Sequence, residues 1–199
     1  MRKRKVSIRR KTKETDIKVI LCIDGEGKYK ISTGIGFLDH MLSLFSHHGL
    51  FDVKLKVKGD LEIDLHHTNE DIGITLGEAF FKALGDKKML KRFGHSFCVL
   101  DEALVRVVVD ISSRPFLDIS FKDKKIRDLK GENYSWNYFK QFLRAFVNSS
   151  KITLHIDILK GEDFHHILEC CFKGLALSLD EATSIDKRKK GLPTTKGVL

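Results

Sequence analysis

The sequence predicts an α+β fold made of two duplicated halves, each a mainly antiparallel sheet backed by two helices. Three observations predict it. Segments in which apolar and polar residues alternate are followed along the chain by segments of helical periodicity. The order strand–strand–helix–strand–helix occurs twice, and the motif His-His-x-x-Glu occurs once in each repeat, with His66 and His165 lying 99 residues apart (165 − 66). We therefore expect one compact unit with halves at residues 1–90 and 91–199.

The first half begins with a strand at residues 16–24, where Ile17, Val19, Leu21 and Ile23 alternate with polar residues. The segment "DGEGK" is predicted to be a turn, and "YKIS" a strand that returns along the first. The stretch "GFLDHMLSLFSHHG" has helical spacing and ends at a glycine that suits a helix C-terminus. A strand, "FDVKLKVKG", follows. The helix "HHTNEDIGITLGEAFFKALGD" then carries its apolar residues inward: Ile72, Leu76, Phe80 and Leu84.

The second half repeats this pattern. "SFCVLDEALVRVVVDISSRPFLDISF" predicts several strands, and "SWNYFKQFLRAFVNSS" a helix. "KITLHIDIL" predicts a strand, and "FHHILECCFKGLALSLDEAT" the last helix. The second motif therefore lies on a helix that corresponds to the helix of the first.

Composition limits the class of protein. Of the 199 residues 42% are hydrophobic, which is enough to bury a core, and no apolar run reaches the length of a membrane span. The basic first fifteen residues lack the apolar region of a secretory signal. The four cysteines fit neither a zinc ribbon nor a disulfide framework, so we expect reduced thiols and a cytoplasmic protein. The net charge of +9 suits solvated faces, a small anionic substrate or RNA, but no aromatic residues interleave with the basic runs.

The repeated motif predicts metal binding. Positions i and i+4 share one face of a helix, so His66 can bind a metal together with Glu70, whereas His67 points about 100° away. The same holds for the second motif. If the motifs face each other, we expect crossed sets: one metal bound by His66, Glu70 and His166, the other by His165, Glu169 and His67.

A single motif of this kind is more often an ordinary surface feature than a site. Two copies at matching places are harder to explain, because core packing gives no reason to repeat three polar residues. Imidazole and carboxylate ligands suit zinc, iron, manganese, cobalt or nickel. His40 and His48, on the first helix, could complete a ligand set or lie on the surface. Cations near turns would form a phosphate clamp if they converge: Arg92, Arg114 and Lys196.

Five segments carry a resemblance to a known family. "TGIGFLDHML", "HHTNEDIGITLGEA", "DISSRPFL", "HHILECCFK" and "LPTTKGVL" resemble, in order, segments of the imidazoleglycerol-phosphate dehydratases, and the match runs from about Arg10 to Leu199. The resemblance implies two halves like domain 2 of ribosomal protein S5. It also implies two manganese ions per active site and a homo-oligomer of 24 subunits, with sites shared at subunit interfaces.

The resemblance also implies which residues bind the metals. The first set falls on His40, His67, His165 and Glu169, and the second on His66, Glu70 and His166. The family's fourth ligand of the second set is a histidine 24 residues before the second pair. Gln141 stands at that position here, so this ligand set departs from the family pattern.

The implied reaction removes water from imidazole glycerol phosphate to give imidazole acetol phosphate, in histidine biosynthesis, through an imidazolate that the metals stabilise. The resemblance assigns catalytic roles to Glu14, of "TKET", and His48, with Glu14 as the acid–base group. It assigns substrate contacts to Glu14, His40 and His48. It assigns phosphate binding to four residues: Arg92, Arg114, Thr194 and Lys196.

Two alternatives remain at the level of the sequence. One is another two-metal enzyme acting on a small phosphorylated substrate, such as a phosphatase, which would release inorganic phosphate. The other is an S5-like RNA-binding module, whose RNA affinity would fall steeply with salt. The favoured interpretation predicts a small phosphorylated substrate and no nucleic acid or membrane partner.

Overall fold

Eight strands and five helices make up residues 3–199, which the computed structural model describes. The first half consists of β1 (Lys5–Lys11), β2 (Thr15–Cys22), β3 (Tyr29–Ser32), α1 (Gly36–His48), β4 (Asp52–Gly59) and α2 (His66–Leu84). The second consists of β5 (Phe93–Leu100), β6 (Ala103–Asp110), β7 (Phe116–Phe121), α3 (Lys124–Asp128), α4 (Trp136–Ser150), β8 (Thr153–Lys160) and α5 (Phe164–Thr183). Apart from the short α3, each half follows the order βββαβα, which confirms the duplication.

Each half builds one four-stranded sheet. The strand orders are β1-β2-β4-β3 and β5-β6-β8-β7, and in each sheet two neighbouring pairs are antiparallel and one is parallel. The predicted hairpin between residues 16–24 and "YKIS" is wrong. Because β1 and β4 occupy both edges of β2, β3 pairs instead with β4, in parallel, with Tyr29 opposite Val53. Helix α1 provides the crossover that a parallel pair requires.

The helices form two layers between the sheets. Helices α1 and α2 contact the first sheet, α4 and α5 contact the second, and across the middle α1 packs on α5 and α2 on α4. Both halves therefore share one apolar core. The inward face predicted for α2 is confirmed, because all four of its apolar residues are buried: Ile72, Leu76, Phe80 and Leu84.

Two glycines allow α2 to approach α4 closely. A Cβ on Gly73 would lie 2.6 Å from the carbonyl oxygen of Phe142, and one on Gly77 would lie 2.5 Å from that of Phe146. No larger residue fits there without moving the α4 backbone. The approach brings the N-terminal turn of α2, with the first His-His pair, next to the N-terminal half of α4. Within residues 3–199 no helix has the length and apolarity of a membrane span.

Candidate active site

Both His-His pairs lie in the first turn of a helix, beside an aspartate. Asp64 Oδ1 accepts a hydrogen bond from the backbone N–H of His66 at 2.6 Å. Asp163 Oδ1 accepts from those of His165 at 2.6 Å and His166 at 3.0 Å. Such acceptors satisfy N–H groups that the start of a helix leaves without partners. An aspartate therefore stands two residues before the first histidine in both motifs, but only Asp163 is the N-cap residue of its helix.

Three of the residues predicted as metal ligands come together within the chain. The ligand atoms of His40, His165 and Glu169 all lie within 4.8 Å of one another. His165 Nε2 is 3.8 Å from Glu169 Oε2, and the packing of α1 on α5 brings in His40. Two imidazoles and one carboxylate are a ligand set that suits a divalent first-row metal. The donor chemistry of this cluster therefore fits a metal ion.

Lys173 joins this cluster although the sequence analysis missed it. Its Nζ lies 2.9 Å from Glu169 Oε1, one helical turn further along α5, and its side chain is only 19% exposed. Burial, followed by the nearby charge of Lys173, lowers the pKa of His48. The spacing of four residues between Glu169 and Lys173 is the signal that could have identified it.

The corresponding pair on α2, His66 and Glu70, belongs to no group of three potential metal ligands in residues 3–199. His66 Nε2 lies 3.3 Å from Glu70 Oε2 on α2. On the neighbouring α4, the Oε1 atom of Gln141 is buried and finds no hydrogen-bond partner in residues 3–199. A buried amide oxygen without a partner is rare, and it can serve as a metal ligand. An amide oxygen is a weaker donor to a first-row metal than the imidazole of His40 in the first cluster.

The second histidine of each pair is held by a carboxylate. His67 Nδ1 lies 2.9 Å from Asp60 Oδ2, and His166 Nδ1 lies 2.8 Å from Glu102 Oε2. These hydrogen bonds raise the pKa of both histidines. The bond from His166, together with two backbone N–H groups, lowers the pKa of Glu102 to about 2.

The crossed metal sets are not closed inside one chain. Among residues 3–199, His67 groups with Glu14 and Asp60 instead of joining the cluster of His40 and His165. His66, Glu70 and His166 likewise do not form a cluster in that range. The reason is the packing, since α2 lies against α4 and α5 against α1. The crossed arrangement stays a prediction that requires a second copy of the chain.

Glu14 lies at the end of the turn between β1 and β2. Its backbone N–H donates to Thr12 Oγ1 at 3.1 Å, and its Oε2 atom is 3.8 Å from His67 Nδ1. About half of the side chain is exposed. The sequence gives Glu14 a role only through the family resemblance, whereas the structure places it next to a motif histidine.

A cavity of about 520 Å³ brings together all four residues predicted to bind phosphate: Arg92, Arg114, Thr194 and Lys196. Lys189 and Lys190 also line it, so the cavity is strongly cationic. It shares no lining residue with the His40 cluster. Converging cations with guanidinium groups suit a phosphate.

A second cavity, of about 810 Å³, opens beside the first cluster and is lined by His40, His165 and the loop of residues 130–134. Tyr134 fixes this loop. Its hydroxyl donates to Asn69 Oδ1 at 2.6 Å, and its ring stacks on Phe37 with centroids 5.1 Å apart. A small molecule therefore has room next to the histidine–carboxylate cluster.

The fold and the site together define a duplicated α+β protein whose histidine–carboxylate groups can hold a metal. A sequence model of imidazoleglycerol-phosphate dehydratase matches residues 33–179. The enzyme of that name from Thermoanaerobacter pseudethanolicus is 56% identical over 98% of this chain and 100% of its own. The one from Caldicellulosiruptor bescii is 54% identical over the full length of both.

Solved structures of the same enzyme also match this fold. A crystal structure of the enzyme from Pyrococcus furiosus, in complex with (S)-C348, matches with a TM-score of 0.81 and 40% identity, over 96% of this chain and 100% of the other. The enzyme from Staphylococcus aureus matches with a TM-score of 0.79 and 33% identity, over 92% and 99%. The chain belongs to the imidazoleglycerol-phosphate dehydratase family, and it has that family's activity, a hydro-lyase step of histidine biosynthesis.

Proposed function

We propose that the chain converts imidazole glycerol phosphate to imidazole acetol phosphate at a site that holds two manganese ions. The convergence of His40, His165 and Glu169, whose ligand atoms lie within 4.8 Å of one another, carries the proposal. The first ion would be bound by these three residues and by His67. The second would be bound by His66, Glu70 and His166, with Gln141 in the fourth place.

Bound metal would supply positive charge that stabilises negative charge developing on the substrate imidazole. The protein must move the protons. Glu14 would take the proton from the substrate carbon, since its carboxylate is half exposed and lies beside His67. The proton that Glu14 takes up would pass to the neighbouring hydroxyl, which leaves as water, and the resulting enol would become the ketone.

His48 would contact the substrate as a neutral imidazole. Its lowered pKa, caused by burial and by Lys173, supports a ring that can accept or donate a hydrogen bond without a charge. The position of His48 at the end of α1, the helix that also carries His40, supports a place near the reacting groups.

The substrate phosphate would bind in the cationic cavity lined by Arg92, Arg114, Thr194 and Lys196. Arg114 is more available than Arg92, because its side chain is 67% exposed and its nearest carboxylate oxygen, on Asp110, is 3.9 Å away, whereas that of Arg92 is 14% exposed and 2.7 Å from Asp110. Binding the phosphate away from the reacting carbon would orient the substrate without taking part in the chemistry.

Assembly into a homo-oligomer of 24 subunits would complete the active sites. The supporting observation is that His67 and His166 are held outside the first cluster of their own chain and remain partly exposed. A neighbouring copy could receive them. The four cysteines are free and buried, which supports a reducing, cytoplasmic location.

The test is to measure the metal content and dehydratase activity of the purified protein before and after chelation. We expect activity to disappear with the metal and to return with Mn²⁺, and the product to be a ketone that keeps its phosphate. Released inorganic phosphate would indicate a phosphatase instead. Full turnover by a metal-free protein would refute the proposed site.

A further inference from the structure

Two glutamates occupy equivalent places in the two halves. Glu14 is the last residue of the turn between β1 and β2, directly before Thr15. Glu102 is the last residue of the turn between β5 and β6, directly before Ala103. Both carboxylates point towards the second histidine of a His-His pair. The two halves therefore carry the same acidic residue at equivalent places.

The two carboxylates are now used differently. Glu102 Oε2 bonds to His166 Nδ1 at 2.8 Å, and Glu102 Oε1 accepts from the backbone N–H groups of Glu162 at 3.1 Å and Asp163 at 2.9 Å. Both of its oxygens are therefore engaged. Glu14 Oε2, in contrast, lies 3.8 Å from His67 Nδ1, beyond hydrogen-bond distance.

In the first half Asp60 replaces the glutamate as the partner of the histidine. It directly follows the last residue of β4 and bonds to His67 Nδ1 at 2.9 Å. The corresponding residue after β8 is Gly161, where an added Cβ would overlap the side chain of Ile167. An acidic side chain therefore does not fit at this place in the second half.

The direction of these hydrogen bonds determines which ring nitrogen of each histidine is available to bind a metal. An ionised carboxylate only accepts, so Nδ1 must carry a proton, and in the neutral ring Nε2 then keeps its lone pair. Carboxylates that bind the far nitrogen of a metal-ligating histidine orient the ring and strengthen the ligand. Removal of such a partner typically lowers metal affinity about tenfold to a hundredfold.

We infer that Glu102 is a positioning residue that presents Nε2 of His166 to a metal ion, and that Asp60 does the same for His67. This frees Glu14, the counterpart of Glu102, for proton transfer. The inference rests on the proposed function, because it takes both histidines as ligands. It gives a physical reason why the acid–base role falls to the glutamate of the first half alone.

The test titrates the metal-free full-length protein with Mn²⁺ and measures the dissociation constant of each site by equilibrium dialysis and by the electron paramagnetic resonance of bound Mn²⁺. Glu102→Ala should weaken one site about tenfold to a hundredfold. Glu14→Gln should leave both affinities unchanged, as should Glu162→Ala, which removes an exposed carboxylate on the same loop.

A double mutant distinguishes an effect of Glu102 on the orientation of His166 from a general effect of the substitution on the loop. If Glu102 acts through His166, adding Glu102→Ala to His166→Ala should weaken Mn²⁺ binding less than twofold further. Glu102→Gln should bind Mn²⁺ with intermediate affinity, and it covers the case in which Glu102→Ala does not fold. Its amide keeps one acceptor oxygen.

Three outcomes would count against these assignments. Wild-type affinity in both Glu102 variants would overturn the inference, as would an undiminished effect of Glu102→Ala in the His166→Ala background. Failure of the wild-type protein to bind any Mn²⁺ would overturn the proposed metal centre itself, and the role of Glu102 with it.

Discussion

Arg92 and Asp110 form a two-pronged ion pair, in which Nε donates to Oδ1 at 2.7 Å and Nη2 donates to Oδ2 at 3.1 Å. The remaining nitrogen, Nη1, donates to the carbonyl oxygen of Pro193 at 2.9 Å. Arg92 therefore braces the C-terminal segment that carries Thr194 and Lys196. Arg114 lines the same cavity but has weaker partners: Nη2 lies 3.9 Å from Asp110 Oδ2, and Nη1 donates to the carbonyl oxygen of Ser112 at 3.3 Å.

Because the two arginines have different contacts, we expect their alanine variants to differ in their effects on KM and on stability. Arg114→Ala should raise KM about tenfold to a hundredfold with little change in kcat, because a hydrogen bond to a charged group contributes about 1.5–3 kcal/mol. Arg92→Ala should raise KM and also lower the unfolding temperature, since the tail loses its anchor. Steady-state kinetics and thermal unfolding measure both effects, with the exposed Arg127→Ala as control. Unchanged KM in both variants would show that the phosphate binds elsewhere.

The cluster of His40, His165 and Glu169 predicts that turnover depends sharply on these residues. His165→Ala should abolish measurable turnover and reduce bound Mn²⁺, because it removes a ligand from the assembled cluster. His67→Ala should lose activity to a similar extent if His67 completes the cluster of another copy. His155→Ala, an exposed histidine of β8 outside both clusters, is the matched control. Normal turnover of either ligand variant after chelation would rule out this cluster as the catalytic site.

Glu14→Gln should retain bound metal and assembly but lose most of its turnover. Glutamine keeps the shape of the side chain and one hydrogen-bond acceptor, yet it cannot take up a proton at neutral pH. We expect kcat to fall by about a hundredfold or more, with a smaller change in KM. Glu26→Gln, which alters another exposed glutamate, should behave as wild type. A kcat close to normal in Glu14→Gln would remove this residue from the mechanism.

Helices and strands with strong apolar periodicity could be predicted from the sequence, whereas the pairing of the strands in the sheets could not. The apolar spacing of α2 and the alternation in β2 follow from local pattern. β1 was missed because exposed basic residues, among them Lys5 and Arg9, dominate it and make it resemble a solvated charge run. The pairing of β3 depends on which strand edge is free, and this is a property of the whole sheet.

The candidate site could likewise be predicted only in part. The two motifs could be found because they repeat, and the helix geometry then gives the pairs His66–Glu70 and His165–Glu169. The carboxylates that hydrogen-bond to the other two histidines could not be found from the sequence. Glu102 lies 64 residues before its partner, so only the fold brings it near. How motifs of different copies would meet in the proposed oligomer is likewise not encoded in any local pattern.

The last prediction concerns Gln141, which occupies on α4 the place that His40 occupies on α1. Each lies twelve residues before the start of the next strand, at Asp52 and Thr153 respectively. Each helix packs on the helix that carries the opposite half's motif. The duplication therefore gives one predicted ligand set an imidazole where the other has an amide.

A neutral amide oxygen binds a first-row metal more weakly than an imidazole does. We therefore expect the two sites to fill unequally, with one tight Mn²⁺ per chain and a second that needs excess metal or substrate. Substrate can help because a ligand that binds only the metal-loaded state stabilises that state. Titration of the metal-free protein should show two affinities that differ by tenfold or more, and Gln141→His should tighten only the weaker one. Asn148→His, an exposed position on the same helix, is the control for an added histidine. Two equally tight sites in the wild type, unchanged in Gln141→His, would refute unequal loading and would mean that the fourth ligand comes from another residue.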